Sequence, residues 1–143
     1  MDISILTEVT DEVVEAFARL IPQLSSSAVI PTRAELQEIA DNDTLLIARD
    51  PTQGGKIVGT LTLVTFRIPT GVRSWIEDVV VDSAERGKGI GEALTVAALK
   101  HAAQLGAKTV DLTSRPSREA ANRLYQRVGF ELRETNSYRY KLS

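Results

Sequence analysis

The chain has 143 residues, 43% hydrophobic and 25% charged, with a formal net charge of −2; that is the length of one domain, with apolar side chains enough for its own core. No cysteine and a single histidine, His101, are present, which excludes disulfides, thiolate zinc sites and a cysteine nucleophile and argues against a histidine-based metal site. The charge balance argues against general nucleic-acid binding, no apolar run approaches the ~20 residues that span a bilayer, and Met1-Asp2-Ile3-Ser4 lacks the regions of a signal peptide, so a single domain over 1–143 in the cytoplasm is expected.

The elements follow in chain order. Ile3 to Leu6 is expected as a short strand. Val13, Val14, Phe17, Leu20 and Ile21 recur at helical spacing, with Asp11 and Glu12 at the favoured acidic end. Pro22 and Ser25-Ser26-Ser27 then mark a loop. Thr32 with Glu35 three residues on predicts a capping box for a second helix, whose apolar face is Leu36, Ile39 and Ala40. Thr44 to Arg49 and Lys56 to Phe66 predict an antiparallel hairpin around the turn cluster Asp50 to Gly55. Pro69-Thr70-Gly71 makes the next turn, and the valine-rich stretch Arg73 to Val81 another strand. Ile90 to Leu105 is a helix with Ile90, Leu94, Ala97, Ala98, Ala102 and Leu105 on one face, closed by Gly106. Thr109 to Thr113 is a strand, parallel to 73–81 through a right-handed crossover. Ser117 is the expected cap of a last helix ending near Arg127, before Gly129. Phe130 to Arg133 and Ser137 to Leu142 are the last expected strands, with Tyr138 and Tyr140 on the second.

Charge is unevenly spread. Residues 1–50 carry ten acids against three bases, and residues 112–143 seven bases against three acids. Scattered solvated side chains account for this, and so does a basic end for an anionic ligand with an acidic end for a cationic one.

Arg86-Gly87-Lys88-Gly89-Ile90-Gly91 stands between the valine strand and the helix that begins at Ile90. Alternate glycines there let backbone N–H groups converge at a helix N-terminus, an arrangement suited to a phosphate or pyrophosphate. A P-loop would need Gly-x4-Gly-Lys-Ser/Thr, which does not occur. A dinucleotide fingerprint would need a third glycine where Glu92 stands, and a second βαβ half that 143 residues do not supply.

The same hexapeptide, preceded by Val80-Val81-Asp82, resembles the acyl-CoA signature Gln/Arg-x-x-Gly-x-Gly/Ala of the GNAT superfamily of N-acyltransferases. Downstream, Asn122-Arg123-Leu124-Tyr125-Gln126-Arg127-Val128-Gly129-Phe130 is similar to that family's second signature, Asn-x-x-Tyr-x-x-x-Gly-Phe. The resemblance covers roughly residues 55–142. It implies an α/β (α+β) three-layer fold with a mixed sheet of about seven strands and about four helices, in the order β-α-α-β-β-β-α-β-α-β-β.

By the resemblance, the co-substrate is acetyl-CoA and no metal takes part. The backbone of Val79, Val80 and Val81 would pair with pantetheine amides, and the N–H groups of Gly87, Lys88, Gly89, Ile90, Gly91 and Glu92 would hold the pyrophosphate. Arg86 and Lys88 would add charge. Asn122 would touch the cofactor arm, and Tyr125 would be the general acid for the leaving thiolate. Glu77 and Asp78 are the candidate bases. Simple alternation puts Glu77 on the face of Val79, and Asp78 on that of Ile76 and Val80, which favours Glu77. A strand N–H near Val79 would polarise the thioester carbonyl. The implied reaction is acetyl transfer to a primary amine of a small molecule or a peptide, with no nucleic acid or membrane involved. The run Glu77 to Asp82 also resembles the strand of glucosamine-phosphate acetyltransferases, so an amino-sugar acceptor is one alternative. A non-catalytic acyl-CoA sensor on the same fold is another, and a nucleotide-binding regulator a third. Many members of the family dimerise, so a homodimer is compatible with the resemblance. Ser114 and Ser117 have no histidine–acid set that would make a hydrolytic triad.

Overall fold

A computed structural model describes residues 1–143. They form two compact units, Met1–Leu112 and Thr113–Ser143.

The first unit holds the whole sheet. Its elements are β1 (Asp2–Ile5), α1 (Asp11–Leu24), α2 (Arg33–Asn42), β2 (Thr44–Asp50), β3 (Lys56–Ile68), β4 (Gly71–Val81), α3 (Ile90–Gln104) and β5 (Val110–Asp111), with single 3-10 turns at Pro51–Gln53 and Ser83–Glu85. The strands lie in the order β1-β2-β3-β4-β5. Neighbours are antiparallel except β4 and β5, which are parallel as the crossover through α3 requires. No helix is long and apolar enough to cross a membrane.

Local chemistry sets the helix ends. Thr10 caps α1, its side chain accepting from the Val13 N–H. Thr32 and Glu35 form the reciprocal capping box at the start of α2, at 3.1 and 2.9 Å. The α1 stripe Val13, Ala16, Phe17 and Leu20 packs with Leu36 of α2 and with Leu45, Ile47, Ile57 and Val80 of the sheet. The opposite sheet face takes α3. There Gly59 removes the side chain that would collide with the helix: a Cβ at that position would lie 3.2 Å from Ile90 Cγ2 and 3.2 Å from Leu94 Cδ1. The first unit thus has three layers, with α1 and α2 on one side of the sheet and α3 on the other.

The second unit contains α4 (Glu119–Val128) and the segment after it. The expected cap Ser117 lies one residue too early: Arg118 occupies the N-cap and its side chain makes no capping bond. The two strands expected at 130–133 and 137–142 do not form, so the sheet has five strands rather than about seven, and the order stops at β-α-α-β-β-β-α-β-α. Leu132, Tyr138, Tyr140 and Leu142 are each about nine-tenths exposed. Alternating apolar residues favour a strand, but a strand exists only where a neighbour completes its ladder, and these segments have none. The last strand of the sheet is also shorter than expected, two residues in place of Thr109 to Thr113.

Candidate functional site

The C-terminal half of β4 departs from regular pleating. On β3, Thr60 and Thr62 are two apart; their partners on β4, Val80 and Glu77, are three apart. Asp78 and Val79 together therefore oppose Leu61, which is a β-bulge. Asp78 has φ +50, the single non-glycine residue with positive φ. Aspartate tolerates that region better than most residues, at a cost of roughly 1–2 kcal/mol, held here by regular pairing on both sides.

The bulge overturns the alternation expected for the two acids. Thr60 and Thr62 share a face, so Glu77 and Val80 share it as well; Glu77 is no longer linked to Val79 by parity. Glu77 and Asp78 are both exposed. Trp75, two residues back on the face of Glu77, donates its indole N–H to Glu77 Oε1 at 2.7 Å. That bond fixes one carboxylate oxygen and leaves the other open.

The edge of β4 is open where the bulge lies. Its parallel ladder with β5 consists of Ser74↔Val110 and Trp75↔Asp111 and stops there. From Ile76 to Val81, that side of β4 has no strand partner, and a row of backbone donors and acceptors is free to take an extended ligand.

At the end of β4 the chain enters a pinned turn. Arg19 of α1 donates to Asp82 Oδ2 at 2.6 Å and to the Ile57 carbonyl at 2.8 Å. Asp82 Oδ1 accepts from the Ala84 N–H at 3.1 Å, and Gln23 Oε1 accepts from the Ser83 N–H at 2.8 Å. Burial works to raise the Asp82 pKa, but the Ala84 N–H and Arg19 outweigh it and hold the carboxyl below its usual value.

Gly87 and Gly89 follow at φ +83 and +75, conformations that side chains with a Cβ rarely adopt. Gly89 is the N-cap of α3 and offers no side-chain cap. The first-turn N–H groups of Ile90, Gly91 and Glu92 lack intrahelical acceptors by the geometry of any helix start. Together with the positive end of the helix dipole they are chemically suited to an anion. Arg86 and Lys88 are both exposed residues, and the Lys88 ammonium pairs with Glu85.

Asn122 and Tyr125 belong to the second unit, one turn apart on α4. Asn122 Nδ2 donates to the Arg115 carbonyl at 3.0 Å. Gly129, at φ +122, turns the chain so that the Phe130 N–H reaches the Tyr125 carbonyl at 2.9 Å. The Phe130 ring then meets the Tyr125 ring edge to face, with centroids 5.7 Å apart. The Gly-Phe pair thereby fixes the tyrosine. Burial raises the Tyr125 pKa above the ordinary phenol value, with Arg118 pulling the other way.

Among the predicted residues, the first unit brings the strand 77–81 and the loop 86–92 into one continuous stretch at the end of β4. The residues that pin it were not foreseen. Arg19, Gln23 and Gln53 are each more than thirty residues away from their partners in the loop, and no local pattern marks them.

Acid sensitivity follows from the same residues. The Thr52 hydroxyl, Gln53 and the Thr52 N–H lower the Asp50 carboxyl to about 2, and Lys88 and Gln53 lower that of Glu85. A carboxylate whose folded pKa is depressed stabilises the fold above its unfolded value of about 4, and that contribution is lost as pH falls through the folded value. Urea midpoints of the wild-type protein will therefore drop between pH 4 and pH 2. Asp50→Asn will show a lower midpoint at pH 5 and a shallower fall below pH 4; an equally steep fall would count against this assignment.

Comparison with known proteins agrees with this layout. The Acetyltransferase (GNAT) family model matches residues 9–130. A mycothiol acetyltransferase from Kytococcus sedentarius is 31% identical over 116 residues, covering 81% of this chain and 38% of the relative, so the chain spans well under half of that protein's length. A probable glucosamine 6-phosphate N-acetyltransferase from Oryza sativa subsp. japonica is 31% identical over 113 residues, covering 76% of this chain and 66% of the relative. Among solved structures, an aminoglycoside acetyltransferase from an uncultured soil metagenomic sample superposes with a TM-score of 0.83 at 21% identity, covering 99% of this chain and 96% of that one, a likeness of fold.

Proposed function

The chain belongs to the GNAT family of acetyltransferases, and we propose that it transfers an acetyl group from acetyl-CoA to a primary amine by direct attack on the thioester. The observation that carries this reading is the open edge of β4 running straight into an uncapped helix N-terminus. An acyl-CoA has the matching sequence of groups: an amide-bearing pantetheine for the strand edge, then a pyrophosphate for the amides of residues 87–92.

The chemistry divides among the predicted residues. The neutral amine nitrogen attacks the thioester carbonyl carbon, a C–N bond forms, the C–S bond breaks, and CoA leaves as the thiol. Glu77, Asp78 or a water they hold takes the proton that the amine loses. Of the two, Glu77 has the better-defined carboxylate, because the Trp75 indole fixes it. Tyr125 gives its hydroxyl proton to the leaving sulfur. The Val79 N–H, at the bulge where strand pairing is interrupted, polarises the carbonyl oxygen. Asn122 contacts the cofactor arm. Alignment of the two reactants supplies much of the rate, on the order of 7 kcal/mol or more in well-oriented systems.

An amino-sugar acceptor is the favoured refinement, supported by the similarity to the rice glucosamine 6-phosphate N-acetyltransferase. A thiol-release assay with acetyl-CoA and a panel of amino sugars, amino-sugar phosphates and peptide amines tests both levels. Free CoA appearing with any amine supports acetyl transfer. Tight acetyl-CoA binding with no turnover across the panel would point to the sensor role instead.

A further inference from the structure

Two buried carboxylates adjoin the glycine loop, and acetyl transfer as described uses neither. Asp50 (4% exposed) ends β2, and Glu85 (5% exposed) ends the 3-10 turn before the loop. A buried carboxylate persists when its charge is paired and its lone pairs are occupied. Gln53 joins the two, its Nε2 donating to Asp50 Oδ2 at 2.7 Å and to Glu85 Oε1 at 2.8 Å. Asp50 Oδ1 takes the Thr52 N–H at 2.9 Å and the Thr52 hydroxyl at 2.7 Å. The remaining Glu85 oxygen, Oε2, takes the Lys88 ammonium.

One cation thus serves this pair of acids, and it stands between Gly87 and Gly89. The two glycines give the loop the freedom to adopt its left-handed conformations and equally the freedom to leave them. A side chain tethered between them removes the second freedom. The tether also alters what Lys88 offers a ligand, because an ammonium paired with a carboxylate presents little net charge.

We propose that Lys88 is a strut and not a phosphate ligand. Gln53 and Glu85 are positioning residues that hold the strut, and through it they fix the amide donors of residues 87–92 for the acyl-CoA pyrophosphate. This rests on the acyl-CoA reading of the loop. Charge near the phosphates then comes from Arg86 and the helix dipole.

Charge and positioning predict opposite signs for Glu85→Gln. Removing an anion beside an anion site tightens binding on Coulomb grounds, whereas releasing the strut weakens it. The test is calorimetric titration of the full chain with CoA, with amide hydrogen exchange of residues 87–92 measured without ligand. Both Glu85→Gln and Gln53→Ala are expected to raise the Kd about tenfold, the scale of one hydrogen bond to a charged group, and to speed exchange in the loop. Gln53 is exposed and its replacement changes no charge, so Gln53→Ala decides the matter if Glu85→Gln does not fold. A Kd that falls or stays unchanged in these variants overturns the proposal, as does unchanged loop exchange. A wild-type chain that fails to bind CoA overturns the acyl-CoA reading itself, a result distinct from any difference between variants.

Discussion

Tyr125→Phe is expected to lower turnover about hundredfold, the low end of what a positioned proton donor contributes, while the KM for acetyl-CoA stays within about twofold. The low end applies because the leaving group is a thiolate. A thiol is already acidic, with a pKa of about 8.5, so it departs with less help than an alkoxide or an amide anion. The hydroxyl carries its proton at neutral pH as any phenol does, and burial moves its pKa further up, outweighing the influence of Arg118. The substitution removes the oxygen and keeps the ring, so the edge-to-face contact with Phe130 survives, and thermal denaturation should change little. Steady-state thiol release with a saturating amine is the measurement. Turnover that matches wild type would remove Tyr125 from the proton path and leave it a packing residue.

Leu94→Ala is expected to destabilise the protein by about 3 kcal/mol, within the range for truncating a buried leucine. Leu94 is fully buried on α3, facing Gly59 on β3. A cavity there has a glycine on its far side, and glycine has no side chain to relax into the void. Gly59 also supplies the check. A Cβ at that position meets Leu94 Cδ1, Ile90 Cγ2 and the Val80 carbonyl, each at 3.2 Å. Truncating Leu94 removes one of those collisions, so Gly59→Ala combined with Leu94→Ala should cost less than the sum of the single changes. Urea denaturation of the three variants measures this; strict additivity would show that the two residues do not share the contact.

Much of the arrangement was legible one segment at a time. The capping box at Thr32 and Glu35, the helix from Ile90, the antiparallel strands either side of Asp50 to Gly55 and the parallel pairing of β4 with β5 all follow from patterns within a few residues or from the handedness of a crossover. The two signatures, at residues 86–91 and 122–130, suffice to mark the family to which the chain belongs. Where a pattern needed a distant partner, it failed. Alternation along 137–142 is as good as that of many strands, yet no ladder forms there. Parity along β4 misassigned Glu77 because the extra residue at Asp78 and Val79 is defined by its opposition to Leu61, on another strand.

The sequence by itself determined that this chain carries a glycine loop at a helix start and an Asn-x-x-Tyr helix closed by Gly-Phe. Those features are built from bonds between near neighbours, such as the Phe130 N–H on the Tyr125 carbonyl. Only the tertiary structure decided where the acids of β4 stand, that Trp75 steadies Glu77, and that Lys88 is turned back onto Glu85. Each of these depends on strand register or on a buried charge seeking its partner. Gln53 and Glu85 meet across 32 positions of chain, because two carboxylates withdrawn from water must find a donor wherever the fold brings one.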